Sequence, residues 1–187
     1  MEEFIECELL NDYQFEIEDK VKFFCPNCFG IFSEGTIVKH FGKCSFILKG
    51  RPVLKEGGMI ISKISDDPLF RLFLNKFDKF LLNYTQELRP LRYSKNFDYW
   101  IFQYKDPNFG TLLIGLGYVR FNWDIDKYVL SALAIFPLNN LHRGLGTKFI
   151  EEINKAYASF GGIVLESPNE VSEHIADKLG IGYYSVL

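Results

Sequence analysis

Four residues spaced Cys25-x2-Cys28-x11-His40-x3-Cys44 constrain the fold of this chain more than any other feature. Two close pairs of soft or borderline ligands suit tetrahedral zinc. A Cys-x2-Cys turn sets both thiolates on one side of a tight knuckle. His40 and Cys44, four residues apart, share one face of a helix, so the two pairs can converge. All four positions are filled by protein and none is left for an activated water, so the expected Zn2+ is structural. Free thiols or a redox pair are the competing readings. Bound metal contributes on the order of 10 kcal/mol of folding free energy, enough to hold a unit with little core. Cys7 stands outside the pattern and reads as a buried or free thiol.

Phe23 before the first Cys, Phe32 after the second and Ile37 three residues before the His supply a small core. With them, the segment resembles a C2HC variant of the ββα zinc finger. Lys39, Lys43 and Lys49 can reach phosphates, which keeps nucleic acid open as a partner. A lone finger reads only about 3 bp, so protein docking or bracing of a neighbouring domain is the favoured expectation.

The charge distribution is uneven. Residues 1–19 hold eight acids and no Lys or Arg, whereas 21–55 hold six bases against Glu34 alone. Either the cysteine segment meets an anionic partner, or the two signs are simply solvated faces. A net charge of −3 argues against a surface built throughout for nucleic acid. At 48% hydrophobic and 17% aromatic residues the chain can bury a real core. No apolar run reaches membrane-span length and the acidic start does not resemble a signal peptide, so an intracellular, cytoplasmic protein without membrane contact is expected, with the nucleus left open for a eukaryotic source.

Short strands are expected over 4–10 and 14–24, and a Gly/Pro-punctuated linker over 50–58. These divide the chain into an acidic arm with the finger, 1–49, and a second domain, 58–187. In the latter, MIISKIS reads as a strand. A helix capped by Asp66 or Asp67 follows, with a stripe of Phe70, Phe73, Leu74, Phe77, Phe80 and Leu81. Three strands over 98–105, 111–123 and 128–136 come next, joined at Asn108-Phe109-Gly110 and at 124–127. The tail alternates a helix over 144–159, a strand over 162–166, a helix over 170–179 and a final strand in IGYYSVL. The fold class is α/β, a mixed central sheet with flanking helices plus the small N-terminal module.

The second motif is an apolar strand ending Leu133-Ala-Ile135-Phe-Pro137, then Leu141-His-Arg143-Gly144-Leu145-Gly146-Thr147 opening a helix. Glycines admit close approach of the backbone, first-turn N–H groups are unpaired, and the helix dipole favours an anion. Arg143 and the Thr147 hydroxyl add donors. On this chemistry alone the turn is a phosphate or pyrophosphate site, or only a helix start.

Together these residues resemble the GNAT family of acetyl-CoA-dependent N-acetyltransferases over about residues 58–187. Gly144, Leu145 and Gly146 match the G-x-(G/A) of the family's pyrophosphate turn. Asn169-x2-Ser172-x3-Ala176-x3-Gly180-Ile181 keeps the spacing of its N-x2-A-x3-Y-x3-G-F motif. The resemblance implies a GNAT-like sheet and acetyl-CoA as cosubstrate. It implies coenzyme contacts by Leu133, Ile135, Arg143, Gly144, Leu145, Gly146, Thr147 and Asn169. Three positions depart from the family: Leu141 stands at the first Arg/Gln, Ala176 at the general-acid Tyr, and 129–137 lack a carboxylate. No catalytic acid or base is therefore assigned. Tyr183, Tyr184 and Glu166 are candidates, with packing or surface roles as the alternative, and His174 is expected to point away from the site.

The expected function is acetyl transfer to an amine on a protein or other macromolecule, with the finger docking or bracing. The alternative is a zinc-finger adaptor carrying a catalytically degenerate GNAT domain, and a small-molecule acetyltransferase ranks third. Cohesin acetyltransferases also pair a finger with a GNAT domain, but these motifs resemble generic GNAT enzymes more closely.

Overall fold

The structure, a computed structural model, describes residues 14–17, 20–41, 43–44, 50–64, 68–84, 93–106, 110–135 and 144–185. The expected strand at 4–10, Cys7, and the Asp66/Asp67 cap lie outside them.

The N-terminal region builds a three-stranded antiparallel sheet from β1 (Gln14–Ile17), β2 (Lys20–Phe24) and β3 (Ile31–Phe32), followed by helix α1 (Glu34–Phe41). Ile17 pairs with Lys20, so the single strand expected over 14–24 is a tight hairpin. Between β2 and β3 the Cys25–Cys28 knuckle turns on itself: the Phe29 N–H donates to the Cys25 carbonyl at 2.7 Å, and Cys25 N–H to Gly30 at 3.0 Å. Phe29 adopts a left-handed φ of 57°. For a bulky residue this costs about 1–2 kcal/mol, offset by its buried ring, which lies 5.1 Å from both Phe73 and Phe77.

The main sheet is mixed and seven-stranded, in the order β10-β9-β8-β7-β6-β5-β4. β4 (Arg51–Glu56), β5 (Met59–Ile64), β6 (Phe97–Asp106), β7 (Gly110–Asn122) and β8 (Lys127–Ile135) form an antiparallel run, with helix α2 (Pro68–Tyr84) between β5 and β6. Helix α3 (Leu145–Ala156) and helix α4 (Glu170–Leu179) then carry the chain to β9 (Ile163–Glu166) and β10 (Tyr183–Tyr184), both parallel additions.

The expected linker at 50–58 is overturned. Residues 51–56 are the edge strand of the main sheet, and Gly57 and Gly58, at φ 53° and 80°, make the two-residue reversal into β5. Two adjacent residues at positive φ are what a tight hairpin of primed type needs, and Pro52 is tolerated because the strand is an edge. Gly50 lies against β5 so closely that a Cβ would stand 2.6 Å from the Lys63 carbonyl. The second region therefore begins before residue 58.

Each face of the sheet carries its own core. On one, Phe70, Phe73, Leu74 and Phe77 of the expected α2 stripe pack with Tyr99, Ile101, Leu112 and Leu116. Phe23, Phe24, Phe29, Ile37 and Phe41 of the cysteine segment join that same cluster. On the other, Phe149, Ile150 and Ile153 of α3 and Ala176 of α4 cover Trp100, Phe102, Val119, Leu130 and Leu165.

The cysteine segment is also tied to the sheet by polar contacts. Asn27, inside the knuckle and buried, accepts from Leu113 N–H at 2.9 Å and donates to the Thr111 carbonyl at 2.8 Å and the Cys44 carbonyl at 3.1 Å. Among the described residues the pairing of β7 with β8 ends at Gly115–Ile135, and no strand covers that edge of β7 at 111–114. The carboxamide fills it as a neighbouring strand residue would. Asn27→Ala leaves the Leu113 N–H buried and unmatched, and we expect a loss of about 1–3 kcal/mol in chemical denaturation. An unchanged midpoint would refute the edge contact.

Candidate functional site

Cys25, Cys28, His40 and Cys44 converge, with all four ligand atoms within 4.8 Å of one another. Cys25 and Cys44 sulfurs are 3.8 Å apart, and Cys28 Sγ lies 3.3 Å from His40 Nε2. Zinc bonds of about 2.0–2.3 Å at tetrahedral angles put neighbouring ligands about 3.5–3.8 Å apart, so the donor set and its spacing fit the ion. The knuckle delivers the first pair and the end of α1 the second. Gly30 N–H donates to Cys28 Sγ at 3.4 Å, and the Phe32 ring stacks on His40 at 4.1 Å. Such contacts orient the ligands.

Without a cation the sulfurs work against one another. A hydrogen bond from Cys25 draws the Cys28 thiol down to about 5 against the effect of burial, while that bond and burial push Cys25 far up. Burial raises Cys44, and the charge on Cys28 adds to it. One thiolate forms readily and opposes the next, which is the electrostatic problem a dication removes.

The second feature lies at the far side of β8. This strand pairs with β7 along nearly its whole length, but with β9 only at Tyr128–Ile163, Val129–Val164 and Leu130–Leu165. From Ser131 to Ile135 its second edge has no strand partner among the described residues. The open stretch is about 15 Å long at a strand's rise per residue. Ser131 is itself an extra residue, because Tyr118 pairs with Ala132 and Val119 with Leu130. A bulge bends the strand and increases its twist, turning β8 away where β9 ends.

Leu133 and Ile135 project toward α3 and α4 and pack partly into that core. They fold over Gly117 and Gly115 of β7, where added Cβ atoms would meet Leu133 at 3.2 Å and Ile135 at 3.1 Å. Beyond the open edge comes the α3 N-terminus, with Gly144 as N-cap at φ 70°, no side-chain cap and no acid in the first turn. Leu145, Gly146 and Thr147 form that first turn, half-buried, so their N–H groups lack intrahelical acceptors. Arg143 lies outside the described residues.

Other expected positions have structural duties. Asn169 is the N-cap of α4, its Oδ1 accepting from Ser172 N–H at 2.9 Å. Ala176, at the family's Tyr position, is fully buried in the core, so the family's phenol has no counterpart there. His174 is exposed on α4, as its helical phase required.

Glu166 proves not to be a surface charge. At the end of β9 its carboxylate pairs with Arg120 of β7 and accepts from Tyr184 OH at 2.9 Å. Arg120 Nε also donates to Ser131 Oγ at 2.9 Å, and Asn122 Nδ2 to Tyr184 OH at 3.0 Å. Burial would raise Glu166, but hydrogen bonds from Ser131, Arg120 and Tyr184 outweigh it and hold the carboxyl below its usual value. Burial and the neighbouring carboxylate raise Tyr184. Tyr183 points to the opposite face and is exposed. No motif in the sequence marks Asn27, Arg120, Asn122 or Ser131 as members of a site. The signal available was Arg120 and Asn122 recurring at period two in the apolar strand GTLLIGLGYVRFN.

A cavity of 490 Å3 lies at the opposite end of the parallel strands, lined by Lys127, Lys155 and glycines 161, 162, 180 and 182. Lys155 is already paired with Glu151 and Glu152. Ligands of open α/β sheets bind outside the carboxyl ends of strands, so the divergence of β8 and β9 is the stronger candidate. No protein-family model matches the chain, and no curated protein does either. Among the described residues no helix is long and apolar enough to cross a membrane.

Elemental analysis of purified protein should give one zinc per chain, and Cys28→Ser should lower it. Chelation should reduce stability by several kcal/mol and dissolve the β1–β3/α1 unit in NMR spectra; an apo protein with unchanged melting excludes a structural metal. Glu166, with a lowered folded pKa, contributes stability fully present above about 4.5 and lost as pH falls through the folded value. The melting-temperature gap between wild type and Glu166→Gln should therefore close in acid, and a gap constant to pH 2 would contradict this.

Proposed function

We propose that the chain is an acetyl-CoA-dependent N-acetyltransferase of GNAT type, with the Cys3His unit as a zinc-held brace. The observation that carries this reading is the open edge of β8 from Ser131 to Ile135, leading to the uncapped, acid-free N-terminus of α3. A diphosphate accepted by the amides of Leu145, Gly146 and Thr147 sits at the positive end of a helix dipole. The pantetheine arm, an extended chain with two amides, then follows the free main-chain groups of β8 as an added strand would. Its thioester arrives where β8 and β9 part. Arg143 and Asn169 are the further coenzyme contacts implied by the resemblance.

There the Ile135 N–H, or another free amide of the edge, donates to the acetyl oxygen and stabilises the charge that develops on it. The neutral amine forms its C–N bond to the carbonyl carbon while the C–S bond breaks. The sulfur leaves with the electron pair, and the amine's proton passes to water. The protein contributes chiefly positioning. Zinc, when bound, supplies a cross-link that holds the finger against β7 and α2.

The adaptor reading keeps one supporting observation, the fully buried Ala176 where an acid would stand. Titration calorimetry should give micromolar acetyl-CoA binding, weakened by Gly144→Ala, which strains the left-handed cap, and by bulk at Gly146. Mass spectrometry with a panel of amine-bearing peptides should reveal a mass increment of one acetyl group. Binding without transfer selects the adaptor, and no binding at millimolar coenzyme removes the transferase reading.

A further inference from the structure

Arg120, Asn122, Ser131, Glu166 and Tyr184 belong to four consecutive strands, β7 to β10, and all lie on the face opposite α3 and α4. Their bonds close on themselves. Glu166 Oε1 receives both Arg120 and Tyr184, Arg120 also donates to Ser131 Oγ, and Tyr184 OH accepts from Asn122. A carboxylate already holding a guanidinium and a phenol is poorly suited to take a proton or an ammonium. Its chemistry is that of a tie.

The tie is placed where the two parallel strands separate. Leu130 is the last β8 residue paired with β9, Ser131 is the bulge, and Glu166 is the last residue of β9. The next residue, Ser167, takes a left-handed φ of 44° and donates to the Tyr184 carbonyl at 2.7 Å, which commits the chain to β10 and away from β8. A ladder of backbone hydrogen bonds otherwise tends to lengthen, because each added pair satisfies an exposed donor and acceptor. Two separate devices, a left-handed exit and a charged cross-strand tie at the bulge, set where that ladder ends.

We propose that this network is a staple that fixes the separation of β8 from β9, with Glu166 and Arg120 as positioning residues for the coenzyme arm. The proposal rests on the reading of that opening as the acetyl-CoA cleft. The staple acts through the backbone of 131–135 and touches neither the thioester nor the amine.

The test uses the full-length, zinc-loaded chain with Glu166→Gln, which keeps shape and removes charge, and Tyr184→Phe, which removes one hydroxyl and spares packing. Three measurements are made: hydrogen exchange over 128–135, acetyl-CoA affinity by calorimetry, and kcat and KM against pH for the amine substrate. Faster exchange over 128–135, affinity for acetyl-CoA at least about tenfold weaker in Glu166→Gln, and an unchanged acceptor KM and pH profile are expected. Tyr184→Phe should give the same pattern more weakly, and Arg120→Lys should recover part of the loss seen in Arg120→Ala. Unchanged coenzyme affinity with a large fall in kcat and a lost pH limb would make Glu166 a base and overturn the proposal. So would a selective rise in acceptor KM, or exchange and affinity both at wild-type levels. If the wild type itself fails to bind acetyl-CoA, the transferase reading fails by that result alone. The exchange data then still decide whether the network fixes the geometry of the two strands where they part.

Discussion

The main-chain hydrogen bonding of β8 governs the arrangement of everything around it. Along one edge it is satisfied by β7 from Lys127 to Ile135. Along the other, β9 satisfies it for three residues, and no strand continues the pairing among the described residues. A strand with one edge half open is normally a liability, since unpaired N–H and C=O groups recruit whatever extended chain is nearby. The bulge at Ser131, the left-handed Ser167 and the Arg120–Glu166 pair all serve to keep that edge in its divided state. The glycines at 115 and 117 let Leu133 and Ile135 lie close to β7, so α3 packs directly over the opened segment.

The cysteine segment answers a related need on the other side of β8. Past the Gly115–Ile135 pair, the edge of β7 at Thr111 and Leu113 is bonded by Asn27, with no strand partner among the described residues. The knuckle that brings two sulfurs together also aims this carboxamide, so ligand geometry and edge protection come from the same four residues. Phe29 adds an apolar anchor between Phe73 and Phe77. The unit is thus joined to the sheet through a shared core, which fits a brace better than a finger free to lie in a groove.

Much of this was legible in the sequence for simple reasons. Ligand spacing is local, so the sequence alone groups Cys25, Cys28, His40 and Cys44. Helical periodicity exposed the Phe70–Phe77 stripe, and glycine chemistry marked the start of α3. The same glycine chemistry misled at 50–58, where Gly57-Gly58 was read as part of a linker. It is a hairpin turn, and only the pairing of Arg51–Glu56 with β5 distinguishes the two. Asn169 is a coenzyme contact only by the family resemblance, and the structure adds a duty that its place at a helix start explains, capping α4.

What the sequence determined by itself were features fixed within a few residues: the grouping of four candidate metal ligands, the order of strands and helices from β5 onward, and the opening of a helix at the Gly144 turn. Each depends on local sterics or on periodicity, and both are written in neighbouring letters. Tertiary structure alone decided where β8 and β9 part, that Arg120, Ser131, Glu166 and Tyr184 meet there, and that Asn27 closes the edge of β7. Those contacts join residues 11 to 86 positions apart. They depend on strand register, where a slip of one residue sends every side chain to the opposite face.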